Sequence, residues 1–103
     1  METRAERERM AREAFRKAAR VVARERRMRL GDVLEPRGRE RQRARAIASY
    51  LAVIGFNACG KHVASAAGVP RHTVEKQVRR VEDRRDDPRF DGWLSKLEGQ
   101  LHA

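Results

Sequence analysis

From Thr3 to Met28 the chain carries no glycine and no proline, and most of the stretch is alanine, arginine and glutamate. These residues are strong helix formers, so any fold of this chain has to accommodate one long N-terminal helix. Ala11, Phe15, Ala18 and Val22 recur at three- and four-residue spacing, an apolar stripe that faces a core. Before Ala11 the stripe fades. Residues 1–12, "METRAERERMAR", read as a charged extension of the helix, either a solvated end or an arm that meets a partner chain.

The remaining segments are also helical. In "MRLGDVLEPRGRERQ", Gly31 is expected to break the first helix, Leu30, Val33 and Leu34 to pack inward, and Pro36 and Gly38 to form a loop. A second long helix is expected over about 40–55, with Ala44, Ile47, Ala48, Leu51 and Ile54 on one face, ended by Gly55, Asn57 and Gly60. "KHVASAA", residues 61–67, makes a short helix, and Gly68, Val69 and Pro70 turn the chain. A helix over about 71–86 buries Val74, Val78 and Val81 and stops at "DDP". The last, about 89–101, buries Phe90, Trp93, Leu94, Leu97 and Leu101. Nothing alternates as a strand would and no repeat is present, so the fold class is all-α, a multi-helix domain of residues 13–103. At 103 residues one domain is expected. A domain this small must pack tightly.

Charge narrows the function. Lys and Arg number 25 against 15 Asp and Glu, a net charge of +10, with a pI near 11.3. Such a balance points to a polyanion, most often nucleic acid. Only Lys17, Lys61, Lys76 and Lys96 are lysines, and arginine suits bidentate contacts to phosphate and guanine. Basic groups crowd residues 1–29, 37–45 and 71–85. The tail from 86 is acidic and is expected to keep away from phosphate.

Other classes recede. Cys59 is the one cysteine, which excludes a disulfide framework or zinc finger within the chain and fits a reducing cytoplasm. No apolar run of about 18 residues offers a membrane span, and the charged N-terminal stretch lacks the apolar run expected of a signal peptide. No paired carboxylates or Ser–His arrangement announces catalysis, so neither an enzyme nor a cofactor is expected. His62, His72 and His102 lack the partners of a metal site. Cys59 reads as a small packed thiol. Phe90 and Trp93 read as core, and Tyr50 as packed or near a phosphate. Aromatic residues are 5% of the chain, with none on a basic platform for stacking bases, which ranks RNA last among the targets.

A short helix, a glycine turn and a longer basic helix make a helix-turn-helix, here over about 60–86. Ala64, Ser65, Ala66 and Ala67 are expected to pack the first helix. Gly68 permits the turn, and Pro70 suits the start of a helix. With the valines facing inward, Arg71, His72, Thr73, Glu75, Lys76, Arg79 and Arg80 are left for DNA. Arg71 and His72 lie on the first turn, where base edges are reached; Arg79 and Arg80 suit phosphate. Glu75 can accept from cytosine or pair with Arg79. Lys61 and His62, on the first helix, are backbone candidates. In "EPRGRERQRARA", Arg37 and Arg39 can enter a minor groove, while Arg41, Arg43 and Arg45 follow in the helix, with Arg41 and Arg45 sharing a face.

These residues also carry a family resemblance. "VVARERRMRLGDVLEPRGR", "RAIASYL", "GVPRHTVEKQVRRVEDR" and "DDPRFDGWLSKLEGQL" resemble, in order and near-equal spacing, the C-terminal DNA-binding domain of the DnaA-type replication initiators. The match spans residues 14–101, about one residue short between Leu51 and Gly68. The resemblance implies a Trp-repressor-like helix-turn-helix with Thr73 and Val74 at the signature Thr-Val. Arg79, Arg80, Val81 and Glu82 fall at its basic end, Gly68 at its glycine, and Arg37 and Arg39 in the minor-groove loop. Val69, Pro70 and Arg71 replace the Arg-Asp-His that reads the initiator box, and His72 takes a threonine position. A different operator is therefore expected.

No "GxxxxGK[ST]" occurs, so ATP-driven origin melting is not expected of this chain. Stand-alone relatives of the domain include replication regulators and activators of gene transfer agent clusters, in which a DnaA-like domain is paired with a module that contacts RNA polymerase. The expectation is a sequence-specific, double-stranded-DNA-binding transcription regulator in the cytoplasm, at the nucleoid, an activator working with such a protein partner. The alternatives are a regulator of replication initiation and a protein-interaction adaptor without ATPase activity.

Overall fold

The computed structural model describes residues 2–102, and among them every regular element is helical. α1 (Arg4–Arg26) is capped by Thr3, whose side chain accepts from the Glu6 N–H. It ends at Arg27, which adopts φ 55° and ψ 44°. The Met28 N–H then reaches back to the Ala23 carbonyl at 2.8 Å, and Met28 packs against the core, closing the helix as a Schellman turn. Gly31 is thus not the breaker: it lies inside the next helix, and the chain turns four residues earlier, on an arginine. A left-handed conformation costs a non-glycine residue roughly 1–2 kcal/mol. Arg27→Gly is expected to raise stability by about 0.5–1 kcal/mol after the extra chain entropy of glycine is subtracted, read as a higher urea midpoint.

α2 (Leu30–Leu34) is a single turn whose start is held by Asp32, accepting from the Arg29 N–H at 3.1 Å. Val33 is fully buried, and Leu30 and Leu34 are half-buried. After the loop, α3 (Arg39–Tyr50) buries Ala44, Ile47, Ala48, Ser49 and Tyr50. It continues into a π-helical turn, Leu51–Gly55. The wider turn changes the phase of the apolar face. Leu51 and Ala52 are still buried, but Ile54, expected on the same face, is 45% exposed. Gly55 sits against α6, where a Cβ would meet Leu101 Cδ1 at 2.7 Å.

α4 (Gly60–Ala67) buries Val63, Ala64 and Ala67, while Ser65, expected in the packing, faces solvent. Gly68, at φ 70°, ends it, and the Val69 N–H bonds the Ala64 carbonyl. Glycine takes that backbone angle without steric cost. Pro70 stands at the cap position ahead of α5 (Arg71–Arg84). Val74 and Val81 are buried, whereas Val78 is only half-buried. α5 stops at Arg84, short of the expected 86. Asp87 then caps α6 (Pro88–Leu101) through the Arg89 N–H, and Pro88 opens that helix rather than closing the previous one. A proline fits there because the first N–H groups of a helix have no partner within it. α6 buries Phe90, Leu94, Leu97 and Leu101.

α1 runs through the centre, packed on α2, α3, α4 and α6, while α5 lies outside it, supported by α3 and α4. The core starts at Ala11, 2% exposed, so the helical extension beyond the core is residues 4–10. Arg85 joins α5 to α6. Its guanidinium donates to Asp91 at 2.5 Å, to the Tyr50 hydroxyl at 3.0 Å and to Ser95 at 3.0 Å, and pairs with Glu98 at 3.0 Å. Burial works against its charge, but the bonds to Asp91, Tyr50 and Glu98 outweigh it and hold the group above its ordinary pKa. Tyr50 is therefore a packed residue, its hydroxyl engaged within the fold.

Candidate nucleic-acid interface

α3 and α5 pack side by side and leave an open groove of about 480 Å³ between them. Its lining follows from helix geometry, in which residues four apart form a ridge. On α5 one ridge is Thr73, Gln77 and Val81, half-buried or buried, which forms the floor with Ala46 of α3. The next ridge on α5, His72, Lys76, Arg80 and Arg84, is exposed and makes one rim. Arg39 and Arg43, four apart on α3, make the other, with Gln42 between them. Among the described residues no carboxylate lines the groove. Two basic segments that are far apart in sequence thus become the two banks of one channel.

Of the residues expected at DNA, the structure brings together Arg39, Arg43, His72, Thr73, Lys76 and Arg80. Arg71 is exposed on the first turn of α5, with its Nε 3.3 Å from Glu75, so Glu75 pairs with Arg71 and not with Arg79. An exposed pair of this kind contributes little and parts readily. Pro70 and Arg37 are exposed beside the starts of α5 and α3.

Five expected positions lie elsewhere. Arg79 is on the other side of α5, beside Glu75, Val78 and Glu82. Arg41 faces α2 and pairs with Asp32 at 3.5 Å. Arg45 is half-buried and donates to the Ala67 carbonyl, tying α3 to the end of α4; burial lowers its pKa. Arg41 and Arg45 therefore do not form a free pair along a phosphate backbone, because Arg45 is held within the fold and Arg41 turns toward α2, outside the groove. His62 lines a different hollow, with Met10, Ala11, Phe56 and Cys59, and its neighbour Lys61 is exposed but outside the groove. Cys59, expected to be packed, is exposed at the start of α4.

Gln42, Gln77 and Arg84 line the groove without having been singled out from the sequence. Arg84 was legible: it continues the four-residue spacing His72, Lys76, Arg80. Gln77 was not, because its place on the floor depends on how α3 seats against α5. Its Oε1 is buried with no hydrogen-bond partner.

Among the described residues no helix is long and apolar enough to cross a membrane. No protein-family model matches the chain, and neither the curated proteins nor the solved structures contain a significant match to it.

Proposed function

We propose that this protein is a sequence-specific double-stranded-DNA-binding regulator of transcription, with α4, the Gly68 turn and α5 acting as a helix-turn-helix. The observation that carries this is the groove between α3 and α5, whose two banks hold Arg39, Arg43, Lys76, Arg80 and Arg84 with no acid among them. In this reading the N-terminal turn of α5 enters the major groove. Arg71 and His72 meet base edges, Thr73 and Lys76 hold the adjacent backbone, and Arg80 follows the phosphates. Arg37 and Arg39 lie where α3 begins, placed for the neighbouring backbone or minor groove. The ordered resemblance of four segments to the DnaA-type DNA-binding domain supports the same assignment. The departure at Val69, Pro70 and Arg71 favours an operator other than the initiator box.

Footprinting on chromosomal fragments tests it. The wild-type chain is expected to protect discrete sites. Arg71→Ala is expected to lose about 10–100-fold at those sites while non-specific binding persists, since one bidentate arginine–guanine contact carries about 1–3 kcal/mol of discrimination. A uniform footprint that Arg71→Ala leaves unchanged rejects sequence reading through this residue. A genome-wide map separates promoter sites, expected for a transcription regulator, from sites confined to the origin, expected for a regulator of replication.

The adaptor reading keeps one specific observation in its favour. The first two turns of α1 stand outside the core, and Met10 is 52% exposed beside the hollow that Phe56 and Cys59 line. Removing residues 2–9 leaves Ala11 and the core in place. The truncated chain is expected to bind DNA as before; loss of a partner protein at unchanged DNA affinity would identify this end as the docking arm for the transcription machinery.

A further inference from the structure

Three arginines from three helices meet where α5 gives way to α6. Arg84, the last residue of α5, lies over the Phe90 ring, 3.9 Å from its centroid. Arg26, the last residue of α1, lies over the Trp93 ring at 4.6 Å. The two rings are neighbours on α6, their centroids 5.9 Å apart, so one aromatic pair holds two guanidinium groups in adjacent positions. Arg43 of α3 lines the groove with Arg84.

Among the described residues none of the three forms an ion pair with a carboxylate. Asp87 is close enough to favour the charge on Arg84, but burial and repulsion from Arg26 and Arg43 act the other way and lower its pKa. One oxygen of Asp87 also accepts from the Arg89 N–H. Like charges gathered on a rigid aromatic backing, with no ion-paired acid, are arranged for an anion from outside. A guanidinium stacked on a ring keeps its N–H edges free, and their fork matches two oxygens of a phosphate.

The dimensions of α5 say which phosphate. Its span of residues, at 1.5 Å rise each, is about 20 Å long, against a major groove about 12 Å wide. A helix of that length with its first turn in the groove carries its last turn out over a strand. We propose that Arg26, Arg43 and Arg84 form a clamp for one backbone phosphodiester of duplex DNA, on the wall of the groove that the start of α5 enters. The source of the phosphate rests on the DNA-binding reading above; the anion site rests on the cluster itself.

Trp93 is the one tryptophan in the chain, and Arg26 stacks on it, so its emission reports occupancy of the clamp. Titration of the full chain with a short duplex is expected to change Trp93 emission saturably, over the concentrations at which a gel shift forms. Arg84→Gln is expected to lose most of that change. It should also make the slope of log affinity against log salt shallower by about 1, the share of one phosphate, with binding weakened equally on all sequences. Arg43→Gln, an exposed rim position, is expected to do the same and serves if Arg84→Gln does not fold. Duplex binding with Trp93 emission unaltered, or a salt slope unchanged in both variants, overturns the clamp. A parallel titration with inorganic phosphate separates the sources. A response to phosphate that Arg84→Gln abolishes, from a chain that binds no duplex, overturns both the DNA reading and the phosphodiester while leaving an anion site. Silence to both ligands overturns the site as well.

Discussion

Raising salt from about 50 mM to about 200 mM is expected to weaken duplex binding by about 10³–10⁴-fold. The groove presents Arg39, Arg43, Lys76, Arg80 and Arg84 as exposed cations, and Arg37 and Arg71 are exposed near the starts of α3 and α5. Contacts to about six to eight phosphates release a matching number of condensed counterions, so log affinity falls by about 5–7 per tenfold increase in salt. Arg41 and Arg45 do not enter this number, because both lie outside the groove, Arg41 toward Asp32 and Arg45 on the Ala67 carbonyl. Fluorescence anisotropy with a labelled duplex across a salt series measures the slope. A slope shallower than about 2 would mean that the basic rims do not track a backbone, and would favour the adaptor reading. The same series on Lys76→Gln or Arg80→Gln is expected to lower the slope by about 1 each. Arg79→Gln, on the far side of α5, is expected to leave it unchanged.

Leu97→Ala is expected to destabilise the fold by about 2–5 kcal/mol, the range for emptying a fully buried leucine site. Leu97 is 0% exposed and lies on α6, which packs against α1 and the π-helical turn. For a domain of about this size each kcal/mol moves the melting midpoint by roughly 4–8 °C, so a fall of at least about 10 °C is the outcome to look for by circular dichroism. α6 also presents Asp91, Ser95 and Glu98 to Arg85, and Phe90 and Trp93 to Arg84 and Arg26. A loosened α6 should therefore also blunt the Trp93 response to duplex. Unchanged melting would place the stabilising core elsewhere, on α1, α3 and α4.

This dual part played by α6 was hidden by its charge. A tail with more acid than base reads as a segment that stays away from phosphate, yet its aromatic face holds two of the arginines at the groove's end. Composition averages over a helix, whereas faces separate. Likewise, "GVPRHTVEKQVRR" shows from its valines which side of α5 is buried, and so which side is basic. It does not show that Arg79 points away from Arg80's bank, because that depends on α3 lying along only one side of α5. Ile54 was misplaced for a local reason: a π-helical turn adds a residue to the helical repeat, and the extrapolated stripe slips out of phase.

What the sequence determined by itself was the five longer helices, the existence of one buried face on each long helix, and the strong positive charge. Helix propensity, glycine and proline positions and apolar spacing are local properties, and local order carries them. The tertiary structure alone decided which arginines are free. Arg39, Arg41, Arg43 and Arg45 alternate identically along the chain, but two line the groove, one meets Asp32 and one meets a carbonyl of α4. A guanidinium goes to the nearest acceptor in space, and the packing of α2, α3, α4 and α5 sets which acceptor that is.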